Sequence, residues 1–220
     1  MSKKLVAFNG SRRKNGNTSI LLEHFLKGAK NNAIKADAFN AHELNLEYCR
    51  GCLRCNLLGY CSIHGDDWAM VAEKILDADV IVFASPIYFH HLSASMKKLL
   101  DRFRSFVKVQ VTETDLIHTP HTIWKKDFVL LLTMGSSNTK DAAPVIDLFK
   151  YITSILGPEN KLHIITANRL VVVNQLLSTE EELVKTYNKL QLPVYLAKED
   201  VIKNQELLDK VSKLGRSLLA

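Results

Sequence analysis

All four cysteines of the chain lie between positions 49 and 61. They read "CRGCLRCNLLGYC", a C-x2-C-x2-C-x5-C run at Cys49, Cys52, Cys55 and Cys61. Three thiolates at steps of three can wrap one corner of a compact cluster while a fourth reaches the remaining iron. C-x2-C-x2-C is the tight part of one common four-thiolate arrangement around a [4Fe–4S] cluster. A structural zinc site more often joins two separated C-x2-C knuckles around one tetrahedral ion. In a reducing compartment such clustering points to metal or redox chemistry rather than to structural disulfides. The spacing leaves three readings open: a [4Fe–4S] cluster, a zinc site, or free thiols able to form a labile disulfide.

A second set of residues, "GSRRKNGNTS" from Gly10 to Ser19, follows the short apolar run "LVAF" and leads straight into a helical pattern. It is not a P-loop, because Gly10 and Gly16 are six apart and Asn17-Thr18 stands where a Lys-Ser/Thr pair belongs. It is not G-x-G-x-x-G either. Ser11, Asn17, Thr18 and Ser19 set hydroxyl and amide groups around the free N–H groups and positive dipole end of a helix start, and Arg13 adds a guanidinium fork. This suits a phosphate monoester, although a capped loop without a ligand would use the same residues. A third set, "SPIYFHH" from Ser85 to His91, follows "VIVFA". Pro86 stiffens the turn, and Ile87, Tyr88 and Phe89 offer apolar and aromatic surface to a flat ring system or pack beneath the next helix. His90 and His91 read first as a solvated pair, with a proton donor beside such a ring as the sharper alternative. No acid–base catalytic residue stands out.

The elements that must hold these loops follow from periodicity. Short strands are expected at Lys4–Phe8, Ala36–Leu44, Val80–Ala84, Phe128–Thr133 and Leu162–Thr166, and helices at Asn17–Lys30, Asp66–Ala78, Leu92–Phe106 and Asp141–Leu156. Val107–Lys126 reads as irregular, an insertion, and two helices near Thr179–Leu190 and Glu199–Leu219 end the chain. Trp68 reads as packing, Ser93, Ser95 and Lys97 as helix-start or exposed positions, and Asp101-Arg102 as a local pair. Strands alternating with helices predict one α/β domain over 1–220, a doubly wound parallel sheet. Five strands favour the flavodoxin-like order 2-1-3-4-5, with the cysteine-rich loop, 48–65, after strand 2. Ligands in such folds sit beyond the carboxyl ends of the strands, where the loops after residues 9, 84 and 133 meet.

Together these segments resemble the NAD(P)H-dependent FMN reductases. That family carries "GSPRxxGNT", then "DDM", then "ADxIxxxSPIYxxxxSAxxKxxxDR", and this chain has "GSRRKNGNT", "GDDWA" and "ADVIVFASPIYFHHLSASMKKLLDR". The resemblance implies a flavodoxin-like FMN-dependent oxidoreductase. It implies that Ser11, Arg13, Asn17, Thr18 and Ser19 hold the FMN phosphate, that Ser85, Pro86, Ile87, Tyr88 and Phe89 line the isoalloxazine, and that Gly135 of "TMGSSNTKD" belongs to the third loop. Arg12 departs from the family's proline. The cysteine spacing is similar to that of the iron–sulfur flavoprotein branch, which implies a [4Fe–4S] cluster on Cys49, Cys52, Cys55 and Cys61. NAD(P)H or ferredoxin is the implied electron donor, a small molecule or redox protein the acceptor, and a homo-oligomer, dimer or tetramer, the implied assembly. An FMN-binding electron carrier or redox sensor without a dedicated substrate is the alternative, its cysteines a zinc site or free thiols.

Composition bounds the partners. The chain of 220 residues is 47% hydrophobic and 24% charged, enough for an ordinary core, with a net charge of +6. The basic residues are scattered, with no basic stripe interleaved with aromatics, so nucleic acid is not an expected partner. No apolar run approaches the roughly 18 residues of a membrane span, and the apolar start after Lys4 is too short for a secretory signal. A cytoplasmic protein is expected.

Overall fold

The computed structural model describes residues 3–29 and 35–219. In chain order its elements are β1 (Lys4–Asn9), α1 (Asn17–Ala29), β2 (Lys35–Asn40), α2 (Cys55–Leu58), α3 (Trp68–Asp77), β3 (Val80–Tyr88), β4 (His91–Leu92) and α4 (Ala94–Asp101). They continue with β5 (Val107–Val111), β6 (Leu116–Pro120), β7 (Asp127–Thr133), α5 (Ala143–Leu156), β8 (Lys161–Ala167), α6 (Glu180–Lys189) and α7 (Ala197–Leu219). The parallel path is β2-β1-β3-β7-β8, the order expected, with β4 folded back on β3. Lys30, the expected last residue of α1, lies outside the described residues.

Alternating side chains divide the buried strands between two cores. Val6, Phe8, Ile81, Phe83 and Phe128 face a layer built from Val71 and Ile75 of α3, Met96 and Leu99 of α4, and Phe149 of α5. Leu5, Ala7, Val80, Val82 and Val129 face Leu21 and Phe25 of α1 and Leu208 and Val211 of α7. Both faces of the central strands are therefore dry, which explains their unbroken apolar sequences. Helices α1 and α7 touch backbone to backbone. A Cβ on Gly28 would lie 2.0 Å from the Ser212 carbonyl oxygen, and one on Gly215 would lie 2.2 Å from that of Phe25. Much of the C-terminal helix is thus spent inside this chain rather than left for a subunit contact.

Several expectations change; β2 ends at Asn40 rather than Leu44, the chain turning at 41–44. β3 continues through Ser85–Tyr88, where a loop was expected, because β1 pairing stops at Ala84 and this far end of the strand tolerates Pro86. A two-residue turn then returns the chain to β4, with Phe89 at φ 48° and His90 at φ 61°. Both are left-handed, as this hairpin class requires, but neither is the Asn or Gly that would signal it in sequence. Helix α4 ends at Asp101 and tightens into a 3₁₀ segment, Arg102–Phe106. The expected irregular stretch Val107–Lys126 contains an antiparallel hairpin, β5–β6. Asn56 anchors it, donating to the Val109 carbonyl at 2.9 Å and accepting from the Val109 N–H at 3.0 Å. Finally, Asp101 and Arg102 do not pair: Asp101 takes an exposed Lys97, and Arg102 turns inward to Asp66.

The C-terminal elements are tied to the segment after β8 by Asp200, which is 1% exposed. It accepts from Arg169 Nε at 2.7 Å, Lys203 Nζ at 2.8 Å and the Tyr187 hydroxyl at 2.8 Å. Burial alone would raise its carboxyl, but bonds from Lys203, Tyr187 and Arg169 outweigh burial and hold it below the usual carboxylate range. A depressed folded value stabilises above the unfolded one, about 3.9, and that contribution is lost as pH falls through the folded value. The melting temperature should therefore fall on acidification below about pH 4, and Asp200→Asn should remove part of that dependence. At neutral pH the same variant should cost about 1–3 kcal/mol, since Lys203 and the Tyr187 hydroxyl lose a charged acceptor while Arg169 keeps Glu199. Gly215→Ala should cost about 1–3 kcal/mol or more in denaturant titrations, because the α1–α7 crossing has no room for a methyl group without separating the helices.

Candidate functional site

The carboxyl ends of β1, β3 and β7 meet around one cleft of about 70 Å³. Its walls are Ser11, Arg13, Gly16, Asn17 and Thr18 from the first loop, Pro86, Ile87 and Tyr88 from β3, and Thr133, Met134 and Gly135 from β7, with Leu170 behind. Eight expected residues thus meet there: Ser11, Arg13, Asn17, Thr18, Pro86, Ile87, Tyr88 and Gly135. Three do not. Ser19 is buried and bonds to Asn9 and the Arg13 carbonyl. Ser85 is fully buried, donating to the Pro86 carbonyl at 2.9 Å and accepting from the Ser93 N–H at 3.2 Å. Phe89 stands wholly exposed at the hairpin tip. Ser93, expected as a mere helix start, is the buried N-cap of α4. Gly16, Thr133, Met134 and Leu170 were missed, although "TMG" directly after an apolar strand was a usable signal.

The first loop is shaped by its own side chains. Asn9 Oδ1 accepts from the Ser11 N–H at 3.0 Å, Ser11 Oγ accepts from the Arg13 N–H at 3.2 Å, and the Gly16 N–H donates to the Arg13 carbonyl at 3.0 Å. A Cβ on Gly16 would sit 3.0 Å from Ser11 Oγ. Asn17 reaches away from the cleft, donating to the Val172 carbonyl at 2.7 Å and accepting from the Leu176 N–H at 3.2 Å. Thr18 and Thr133 share a buried hydroxyl contact of 2.6 Å. The side chains expected to grip an anion are therefore largely engaged with protein. What they leave open is backbone: the N–H groups of Asn17, Thr18 and Ser19, which an α-helix cannot satisfy internally and which meet no acceptor among the described residues. Arg13 is exposed and has no ion-pair partner among the described residues. This donor set fits a phosphate, and the adjoining Ile87, Tyr88 and Met134 fit a flat apolar ring.

The cysteine loop folds around a second, smaller cavity of about 20 Å³ that all four cysteines line together with Arg102 and Arg104. Left-handed Gly51, Leu53 and Gly59 bend the chain so that steps of three in sequence face one space. All four thiols are free. Hydrogen bonds from the Arg54 backbone and Ser62 hold the exposed Cys52 thiol below its ordinary value, whereas burial pushes Cys55 up despite the nearby Arg104. Among the described residues no three Cys, His, Asp or Glu side chains group so as to hold one metal ion. Arg102, with a fully buried side chain, donates to Asp66, to the Glu47 carbonyl at 2.8 Å and to Cys61 Sγ at 3.3 Å, and its guanidinium lies 5.1 Å from the Trp68 ring. Burial would raise Asp66, but Arg102 and the N–H groups of Glu47 and Trp68 hold it low. Trp68 is packing, 2% exposed. The two sites lie toward opposite ends of α4, eight residues or about 12 Å long: Ser93 and Ser85 meet at its start, and Arg102 follows its end. His90 is exposed, its Nδ1 3.8 Å from Asp141, and nothing aims it into the cleft.

Residues 3–176 match the family model described as NADPH-dependent FMN reductase. An iron–sulfur flavoprotein of Methanocaldococcus jannaschii is 35% identical over 101 residues, 46% of this chain and 52% of that protein. One from Archaeoglobus fulgidus is 39% identical over 101 residues, 46% of this chain and 49% of that protein. The chain spans about half the length of the curated relatives it matches. The solved structure of an FMN-dependent NADH-azoreductase from Bacillus anthracis str. Ames Ancestor, in complex with FMN, has a TM-score of 0.60 at 15% identity, with 100% of both chains covered, which shows a shared fold.

The thiol environments predict an order of reactivity. In metal-free protein near neutral pH, iodoacetamide should modify the exposed Cys52 at least about tenfold faster than the buried Cys55, as peptide mass spectrometry would read. Equal rates would contradict the environments described here.

Proposed function

Because the chain belongs to the NADPH-dependent FMN reductase family, we propose that it is an FMN-dependent oxidoreductase of the iron–sulfur flavoprotein type. The observation that carries this reading is the single cleft in which a helix start with free N–H groups and an unpaired Arg13 adjoin the Ile87–Tyr88 surface. The N–H groups of Asn17, Thr18 and Ser19 bind the phosphate, at the positive end of α1. Asn17 and Thr18 position that turn through Val172, Leu176 and Thr133. Ile87, Tyr88 and Met134 orient the ring and exclude water from one side of it. Cys49, Cys52, Cys55 and Cys61 hold a [4Fe–4S] cluster. What supports this part of the reading is that all four cysteines line one cavity and that C-x2-C-x2-C is a cluster spacing rather than the pair of separated knuckles usual for zinc. FMN exchanges electrons in pairs or singly and the cluster singly, so a protein holding both can divide a reducing pair into single steps.

The donor in this reading is NAD(P)H or a reduced ferredoxin, and the acceptor a small molecule or a redox protein. A cytoplasmic setting is part of the proposal, resting on the clustering of all four cysteines in one loop. A homo-oligomer is part of the proposal, supported by exposed apolar side chains such as Leu57, Val111 and Ile123 on and beside the cysteine loop and the β5–β6 hairpin. No described helix is long and apolar enough to cross a membrane.

Anaerobically purified protein should carry flavin absorption, FMN after denaturation, and about four iron and four sulfide per chain. It should oxidise NAD(P)H or reduced ferredoxin when a quinone or one-electron acceptor is supplied. Arg13→Gln should weaken FMN binding by about tenfold or more, the loss of one charge-assisted hydrogen bond, in fluorescence titrations. Tyr88→Ala should shift the bound flavin's absorption bands. A folded protein that binds no FMN would sink the proposal, and zinc without sulfide would remove its iron–sulfur part.

A further inference from the structure

Two of the four cysteine sulfurs receive N–H groups from outside the cysteine loop. Both donors come from the 3₁₀ segment after α4. Arg102 donates to Cys61 Sγ at 3.3 Å, and Arg104 donates to Cys55 Sγ at 3.5 Å. Neither guanidinium is free to swing. Arg102 is held by Asp66 and the Glu47 carbonyl, and Arg104 by the Val107 carbonyl at 2.8 Å and Asn56 Oδ1 at 3.1 Å. Their charges are balanced differently. Asp66 neutralises Arg102, whereas Arg104 has no carboxylate partner among the described residues and lines the sulfur cavity as an uncompensated cation. A neutral thiol is a weak acceptor, so a half-buried cation aimed at one is poorly repaid for its lost water. An anionic sulfur repays it as a charge-assisted acceptor.

On the reading that these cysteines hold a [4Fe–4S] cluster, we propose that Arg102 and Arg104 are positioning residues that set its reduction potential. Reduction adds one electron, delivered by the flavin or its donor, and neither makes nor breaks a bond at the cysteines. The added negative charge spreads onto the sulfurs, where two fixed N–H donors and the net charge of Arg104 favour it. Hydrogen bonds and charge at the sulfurs are among the levers that tune such clusters. The arginines should therefore raise the potential.

The test uses full-length, anaerobically reconstituted protein and three variants, Arg104→Gln, Arg104→Lys and Arg102→Lys, the last risking the fold because its site is buried. Iron, sulfide and FMN are counted first, and the cluster is then titrated redox-potentiometrically with electron paramagnetic resonance. Arg104→Gln should keep iron, sulfide and FMN. Its ratio of reduced to oxidised cluster should fall about tenfold at a fixed potential, a 59 mV lower midpoint for a one-electron couple. Arg104→Lys should recover part of the loss, because the charge returns without the fork. The flavin midpoints should not move. A folded Arg104→Gln protein that keeps the wild-type cluster potential, or that loses its iron, overturns the proposal. Wild-type protein without iron and sulfide overturns instead the cluster reading beneath it, and the two failures are distinguished by the metal count.

Discussion

A sheet of parallel strands buried on both faces must send every connection back over one face as a crossover. That constraint gathers the carboxyl ends of β1, β3 and β7 at one edge, where the walls of the cleft meet. The alternation of Val6 and Phe8 with Leu5 and Ala7 builds two cores at once, one under α3, α4 and α5 and one under α1 and α7. Once both are filled, the three loops have nowhere to go but the same cleft. The close α1–α7 crossing through Gly28 and Gly215 belongs to the same constraint, because α1 must lie flat on the sheet for its N-terminus to point at the cleft.

Within the cleft, side chains and backbone exchange the roles that composition suggests. Ser11, Ser19, Asn17 and Thr18 look like ligands for an anion, yet their side-chain bonds run to the Arg13 N–H and carbonyl, Asn9, Val172, Leu176 and Thr133. They fix the loop, and the fixed loop presents bare N–H groups. Such an arrangement suits tight phosphate binding, since backbone donors on a rigid helix lose little freedom when the ligand arrives. Arg13 stands exposed at the rim of the same cleft.

The cysteine loop depends on a different device. A fully buried guanidinium is expensive unless every direction it faces is answered. Arg102 is answered by Asp66, the Glu47 carbonyl, Cys61 and the Trp68 face, leaving only Nε without a partner among the described residues. These partners come from both flanks of the cysteine run and from the start of α3, so one side chain closes the loop on itself. Asn56 and Arg104 extend the closure to the β5–β6 hairpin. The hairpin is thus part of the cysteine site's scaffold, and α4 joins that scaffold to the end of β3.

Local pattern was enough to read the parallel sheet, its strand order, the position of α1 behind the first loop and the convergence of four cysteines. Unbroken apolar runs, helical spacing and a C-x2-C-x2-C step are local properties that survive in the folded chain. The family resemblance nominated Ser11, Arg13, Asn17, Thr18, Ile87 and Tyr88, which do meet in one cleft, together with Ser19, Ser85 and Phe89, which do not. Tertiary structure alone decided which atoms face it. The Phe89–His90 turn carries no glycine to announce it, so Phe89 could be placed outside only once β3 was seen to run on to Tyr88. Ser85 turned inward because strand pleating puts alternate side chains on opposite faces, and a strand mistaken for a loop has no such rule. The Arg102–Asp66 pair, spanning 36 residues, was invisible for the same reason that Asp101 seemed its natural partner: sequence shows neighbours along the chain, whereas a buried charge finds whatever opposite charge the packed core brings to it.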